Sequence, residues 1–231
     1  MVLFLCLAHL AVGIVFTPVF VSREAGVKFF RFNARLAAIL LAVAFALRPT
    51  ATSSTHMGLL AVVALVVVEA ALIVYWATVG QALASIRHAI VATAVGAGLI
   101  ALVAQALDQA SGLPAQAMTV ASFLSSAALL GGACTAMILG HWYLVIPSLQ
   151  VSHLQSIVKM HIASMVVRVV VVAAAVIMAI VSWQPGMGPS FRGYILSVSG
   201  VFFWQRVLFG LFGPALLSNL TSETAKIRST Q

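Results

Sequence analysis

Four of the six histidines in the sequence lie at the ends of long apolar segments. His88 begins one such segment, His141 comes near the end of the next, and His153 and His161 fall in the first turns of the one after. Imidazole is a common ligand of transition metals and of haem iron. Because these segment ends lie on the same predicted side, the four rings could converge on one cofactor.

The preferred pair of axial ligands for a haem b is His141 and His161, with His88 as the substitute. Arg87 and Lys159 lie close to these histidines in the sequence and would receive the haem propionates. The alternative is that each histidine only contacts lipid headgroups or water at the membrane interface. For a single histidine the alternative is favoured, and for the set of four the two interpretations are balanced.

A stripe of small residues strengthens the cofactor hypothesis. It recurs every four residues along the predicted fifth helix, at Ala128, Gly132, Ala136 and Gly140. Small side chains let a flat macrocycle or a second helix approach the backbone closely. Ordinary helix packing explains the same stripe, so it does not by itself distinguish the two interpretations.

Three ionisable residues, Glu69, Arg168 and Arg206, fall near the middle of predicted membrane spans. A charge at the centre of a bilayer costs about 3 kcal/mol on insertion scales, so it normally faces the protein interior and has a partner. We expect Glu69 to pair with Arg168 or Arg206. Such charges could form a quinone, proton or anion site, and an ion pair that only fixes helix packing is an equal alternative.

Two smaller patterns combine sulfur with imidazole. Cys134, Met137 and His141 share one helical face at offsets of three and seven, and Cys6 lies three residues before His9. Thiol, thioether and imidazole together suit copper(I). Methionine is more often packing material in an apolar helix, so copper is the minor hypothesis for both groups.

The composition indicates that this protein lies in a membrane. Of its 231 residues, 63% are hydrophobic and 7% are charged, and its mean hydropathy is +1.15. A soluble domain carries roughly a quarter charged residues, so the composition excludes that class. The net charge of +8 comes from basic residues scattered between apolar segments, which favours contact with lipid headgroups over binding of nucleic acid. Cys6 and Cys134 are expected to be free thiols.

Apolar runs of about 20 residues predict an all-α, polytopic membrane helix bundle with about seven spans. The predicted spans cover about 1–21, 29–47, 57–80, 86–107, a part of 115–146, 152–182 and 191–217. Arg48-Pro49 and Pro147 end two of them, since proline disfavours helix in the residue before it. We expect one transmembrane domain over 1–218 and a short polar cytoplasmic tail over 219–231.

The distribution of basic residues predicts the orientation. One side of the membrane would carry eight of them, at Arg23, Lys28, Arg31, Arg35, Arg87, Lys159, Lys226 and Arg228, against Arg48 and Arg192 on the other. Cytoplasmic loops carry the excess of Lys and Arg. The amino terminus is therefore expected outside and the carboxyl terminus in the cytoplasm of a bacterial-type inner membrane.

The sequence has no nucleotide-binding glycine loop and no H-E-x-x-H zinc motif, and its predicted seventh span lacks the lysine that binds retinal. We expect an electron-transfer subunit that binds haem b, quinone or both near the cytoplasmic face. Its expected partners are the lipid bilayer and other membrane and peripheral subunits of a complex. Nucleic acid is not expected as a partner. A transporter subunit and a structural or assembly subunit without cofactor are the alternatives.

Overall fold

The computed structural model describes residues 2–48, 55–80, 86–145, 151–184, 190–216 and 219. Within these ranges the chain is helical and contains no β-strand. Among the described residues, six helices are long and apolar enough to cross a membrane. They are α1 (Val2–Phe16), α2 (Gly26–Ala46), α3 (His56–Thr78), α4 (Arg87–Gln109), α5 (Leu113–Val145) and α6 (Val151–Val181). The prediction of a helical membrane bundle is thus confirmed.

The connection between α1 and α2 is made of two short 3-10 turns. The first, Thr17–Phe20, contains Pro18, which has no N–H to continue the α-helical bonding. The second, Arg23–Ala25, is capped by the Ser22 hydroxyl, which accepts a hydrogen bond from the Glu24 amide. Gly26 then starts α2 with a φ of 80°, in the region that favours glycine. This turn places Arg23 at one end of the bundle.

Helices α1 to α4 form a closed ring, in which each helix packs against the next and α4 also contacts α1. Helix α5 covers α1 and α4 from outside, and α6 packs against α5. The core between these helices is apolar and includes the fully buried Phe4, Leu41, Leu65, Val68 and Leu102. A cavity lies at one end of this ring, as described below.

Helices α1 and α5 cross with their backbones close together at Gly13 and Gly131. A Cβ atom on Gly13 would overlap the carbonyl oxygen of Ala127 and lie 2.9 Å from Gly131 Cα. Beside this crossing, Thr17 Oγ1 lies 2.5 Å from Thr135 Oγ1 and donates to the Gly13 carbonyl at 3.1 Å. Glycine pairs of this kind let membrane helices pack backbone to backbone. The crossing holds α5 against the ring.

The segment of the predicted seventh span is divided into short pieces. It contains α7 (Phe191–Ile195), a 3-10 turn at Val198–Gly200 and α8 (Val201–Val207). The chain continues through a π-helical stretch, Leu208–Phe212, and remains helical to residue 216. The Trp204 indole donates to the Ile195 carbonyl at 3.1 Å and so links the two halves. The helical stretch after the 3-10 turn is described over 201–216.

Candidate functional site

A cavity of about 450 Å³ lies inside the ring of α1 to α4. It occupies the end of the ring where α1 and α3 finish and α2 and α4 begin. Its inner wall is apolar and includes Ile14, Val15, Ala37, Leu72, Ala94 and Val95. Cavities of this size, with mostly apolar walls and a few polar groups, are typical binding sites for small molecules.

The polar groups of this cavity lie at its mouth. Arg23, from the turn before α2, is exposed, and its Nη2 atom lies 2.5 Å from Nε2 of the exposed His88 at the start of α4. Since a guanidinium has donors but no acceptor, Arg23 donates and His88 accepts. The Arg87 guanidinium lies 5.7 Å from the ring centre of Phe30 and 5.9 Å from that of Tyr75. The mouth therefore carries two cations, of which Arg87 lies beside two aromatic rings.

Asn33 adds a buried polar side chain to the cavity wall. It lies on the buried face of α2, is 1% exposed, and donates from Nδ2 to the Phe29 carbonyl at 2.9 Å. Its Oδ1 atom has no hydrogen-bond partner. An amide with an unused acceptor is unusual in an apolar interior, because leaving it unpaired costs free energy.

The predicted histidines do not form one group. His88 lines the cavity together with Arg87, whereas His161 is buried against α5, where a Cβ on Gly132 would lie 3.2 Å from its Nδ1. His141 is exposed. It follows Gly132 by nine residues on the same helix, which is about 13 Å of helix rise. The structure thus separates His141 from His161, and the side chain of His153 lies outside the described residues.

The half-buried charge of Arg168 is satisfied by serines. Its Nη1 atom donates to the Ser122 carbonyl at 2.7 Å, to Ser122 Oγ at 3.0 Å and to Ser125 Oγ at 3.1 Å. The Oε2 atom of Glu69 has no hydrogen-bond partner. The expected pair of Glu69 with Arg168 is therefore not formed. The reason is the helix arrangement, since α3 packs against α2 and α4 while α6 packs against α5.

One further predicted residue, Lys159, stays apart from the cavity. Lys159 is exposed on α6, among residues that do not line the cavity. The side chain of Arg206 lies outside the described residues, so its expected pairing with Glu69 stays a prediction. Of the candidate site residues whose side chains are described, only Arg87 and His88 line the cavity.

The sulfur and imidazole patterns are also dispersed. Met137 is 70% exposed and His141 is exposed, while Cys134 is half-buried. Cys6 is exposed, whereas His9 is buried, with its ring 4.6 Å from that of Phe123. In the described part of the chain, no group of three His, Cys, Asp or Glu side chains could hold a metal ion.

His9 belongs to a buried polar group that the sequence reasoning overlooked. The Gln105 amide of α4 lies against its imidazole, and both side chains are 5% exposed. Neither Nε2 of His9 nor the amide atoms of Gln105 are in hydrogen-bonding geometry. Gln105 lies one turn before the end of the apolar helix α4, and this polar residue is the sequence signal from which the pair could have been predicted.

Arg23 and Asn33 are the cavity residues that the sequence analysis did not single out. Arg23 was counted only toward the orientation of the chain, and Asn33 is the lone amide on the otherwise apolar buried face of α2. No protein-family model, curated protein or solved structure matches the chain. The functional argument therefore rests on the geometry of the cavity.

Proposed function

We propose that the protein is the membrane subunit of a redox complex and that the cavity binds an isoprenoid quinone. The observation that carries this proposal is the combination of an apolar cavity with hydrogen-bonding groups at its mouth, Arg23 and His88. A quinone is an apolar molecule with two ring oxygens that accept hydrogen bonds. Its ring would contact Phe30 and Tyr75, and its isoprenoid tail would contact the apolar walls.

The mouth also offers a means of proton exchange. Because His88 Nε2 accepts the bond from Arg23, the proton of the neutral ring is on Nδ1, which is then a donor for a quinone oxygen. Oxidation of a quinol to a quinone releases two electrons and two protons. The mouth is open to water, which would accept these protons, and the electrons would go to a redox centre in a partner subunit.

The proposed topology keeps seven spans, with the amino terminus outside and the cavity at the cytoplasmic face of a bacterial-type inner membrane. Arg23 and Arg87 lie at the cavity end of the bundle, and the excess of basic residues at this end supports a cytoplasmic placement. The helical stretch 201–216 would belong to the seventh crossing. Haem b stays a prediction. Among the described side chains, no two of the predicted histidines lie together to support it.

A cavity-filling variant tests the quinone proposal. Val91 lines the cavity, whereas Ala89 is exposed on the same helix and does not line it. Protein purified from membranes in mild detergent would be extracted with organic solvent, and the quinone would be counted by mass spectrometry. We expect wild type and Ala89→Trp to retain quinone and Val91→Trp to lose at least about tenfold, since the indole fills the site.

Two results would contradict the proposal. The first is an extract of the wild-type protein that contains no quinone above the level of an unrelated membrane protein. The second is equal retention by the two tryptophan variants. A visible spectrum of the same preparation, recorded before and after dithionite, reports independently on haem, because reduced haem b has a sharp α band.

A further inference from the structure

A stripe of three basic side chains runs along the outer face of α2. Lys28, Arg31 and Arg35 are separated by three and four residues, so they lie on one side of the helix, and all three are exposed. The buried residues of α2, which include Phe30 and Ala37, lie on the opposite side. In a membrane, this stripe faces lipid and not the protein core.

One member of the stripe is held in place by an aromatic residue of the neighbouring helix. Arg31 donates from Nε to the Trp76 carbonyl at 3.2 Å, and its guanidinium carbon lies 5.9 Å from the centre of the Trp76 ring. Trp76 is 42% exposed and comes two residues before the end of α3 at Thr78. Tryptophan favours the membrane interface. Arg31 is therefore fixed at headgroup depth, with four further N–H donors.

The same face of α2 becomes apolar immediately beyond the stripe. Ile39 is 50% exposed and Val43 is 43% exposed, and both continue the line of Arg35 at helical spacing. Arg35 follows Gly26 by nine residues, which is about 13 Å of helix rise. An occupant of this face must therefore present negative charge near the end of the helix and hydrocarbon further along it.

We propose that Lys28, Arg31 and Arg35 with Trp76 form a binding site for the headgroup of an anionic phospholipid. Phosphate oxygens suit arginine, which binds them through two parallel hydrogen bonds. The acyl chains of the same molecule cover Ile39 and Val43. A lipid phosphate also compensates the charge of Arg35, which would otherwise face hydrocarbon at a cost in free energy. This site is independent of the quinone cavity, which lies on the opposite face of α2.

Lipid titration of the purified full-length protein tests the site. Delipidated protein in neutral detergent would receive either phosphatidylglycerol or phosphatidylcholine, and bound lipid would be counted by native mass spectrometry. We expect a saturable phosphatidylglycerol site in wild type. The triple variant Lys28→Gln, Arg31→Gln, Arg35→Gln should bind phosphatidylglycerol at least about tenfold more weakly, since each basic residue near the surface attracts anionic lipid.

Two matched variants separate a defined site from general charge. Arg192→Gln also removes an exposed positive charge, but far along the chain, and should leave the lipid site unchanged. Arg31→Lys keeps the charge and loses the bond to Trp76, so it should give intermediate affinity. Equal binding of the two lipids by wild type, or equal weakening by Arg192→Gln and the triple variant, would overturn the proposal. The proposal would also be overturned if an acidic protein bound to the stripe equally well with and without lipid.

Discussion

Arg23 Nη2 lies 2.5 Å from His88 Nε2, so the turn between α1 and α2 is hydrogen-bonded to the second residue of α4. This contact joins two walls of the cavity at its mouth. It also decides the chemistry of the imidazole, because the guanidinium cannot accept a hydrogen bond. The tautomer of His88 therefore follows from its neighbour.

The first prediction concerns that tautomer. Nitrogen NMR of histidine-labelled protein should show one neutral ring with its proton on Nδ1, and this signal should vanish in His88→Asn. In Arg23→Gln the same ring should become a mixture of tautomers, because the fixed donor is lost. A wild-type signal with the proton on Nε2 would contradict the assigned bond.

The second prediction concerns the crossing of α1 and α5. Gly13→Ala and Gly131→Ala should each destabilise the protein by about 1 to 3 kcal/mol or more, because the added methyl group overlaps backbone of the facing helix. Gly140→Ala is the control, since a Cβ there meets nothing within 4 Å. Unfolding in mixed micelles with increasing SDS measures the difference. Equal stability of the three variants would show that the helices do not cross at these glycines.

The third prediction concerns the serines around Arg168. Ser122→Ala with Ser125→Ala should lower the free energy of unfolding by about 1 to 3 kcal/mol, because the guanidinium loses two acceptors. Adding Arg168→Met should recover much of this loss, since it removes the half-buried and then poorly paired charge. Ser164→Ala serves as control, because that hydroxyl bonds only the His161 carbonyl of its own helix among the described contacts. Additive effects of the serine and arginine changes would contradict the contact.

The fourth prediction concerns orientation. The native cysteines would first be removed by Cys6→Ser and Cys134→Ser. In this background, the variant Arg192→Cys should react with a membrane-impermeant maleimide in intact cells. The variant Lys28→Cys should react only after the membrane is permeabilised, because basic loops remain in the cytoplasm. Both positions are exposed, so accessibility reports the side of the membrane. The reverse pattern would place the cavity at the outer face.

Much of the fold was predictable from local properties of the chain. Apolar runs and the prolines and glycines between them located α1 to α6 closely, although α2 begins at Gly26 and not near residue 29. Segment 191–216 was the exception, because its hydrophobicity met the criterion for a span while its backbone is divided near Ser197 and Gly200. Hydropathy measures transfer to lipid and does not measure helix continuity.

The site was less predictable, since it depends on which helices are neighbours. His88 and Arg87, two of the predicted candidates, line the cavity, but their partners Arg23 and Phe30 come from distant parts of the sequence. The sequence predicts His141 and His161 on the same side of the membrane. In the structure His161 lies beside Gly132 of α5, and His141 is nine residues further along that helix. Periodicity gives the face and depth of a residue on its own helix, and it gives no information on the helix opposite.

Composition alone was sufficient to establish a helical membrane protein, because 7% charged residues cannot cover a soluble surface. The closed ring of α1 to α4, the cavity at one of its ends and the serine partners of Arg168 required the three-dimensional arrangement. The physical reason is that burial in lipid is a property of each helix separately, whereas packing between helices depends on the shapes of both faces that meet.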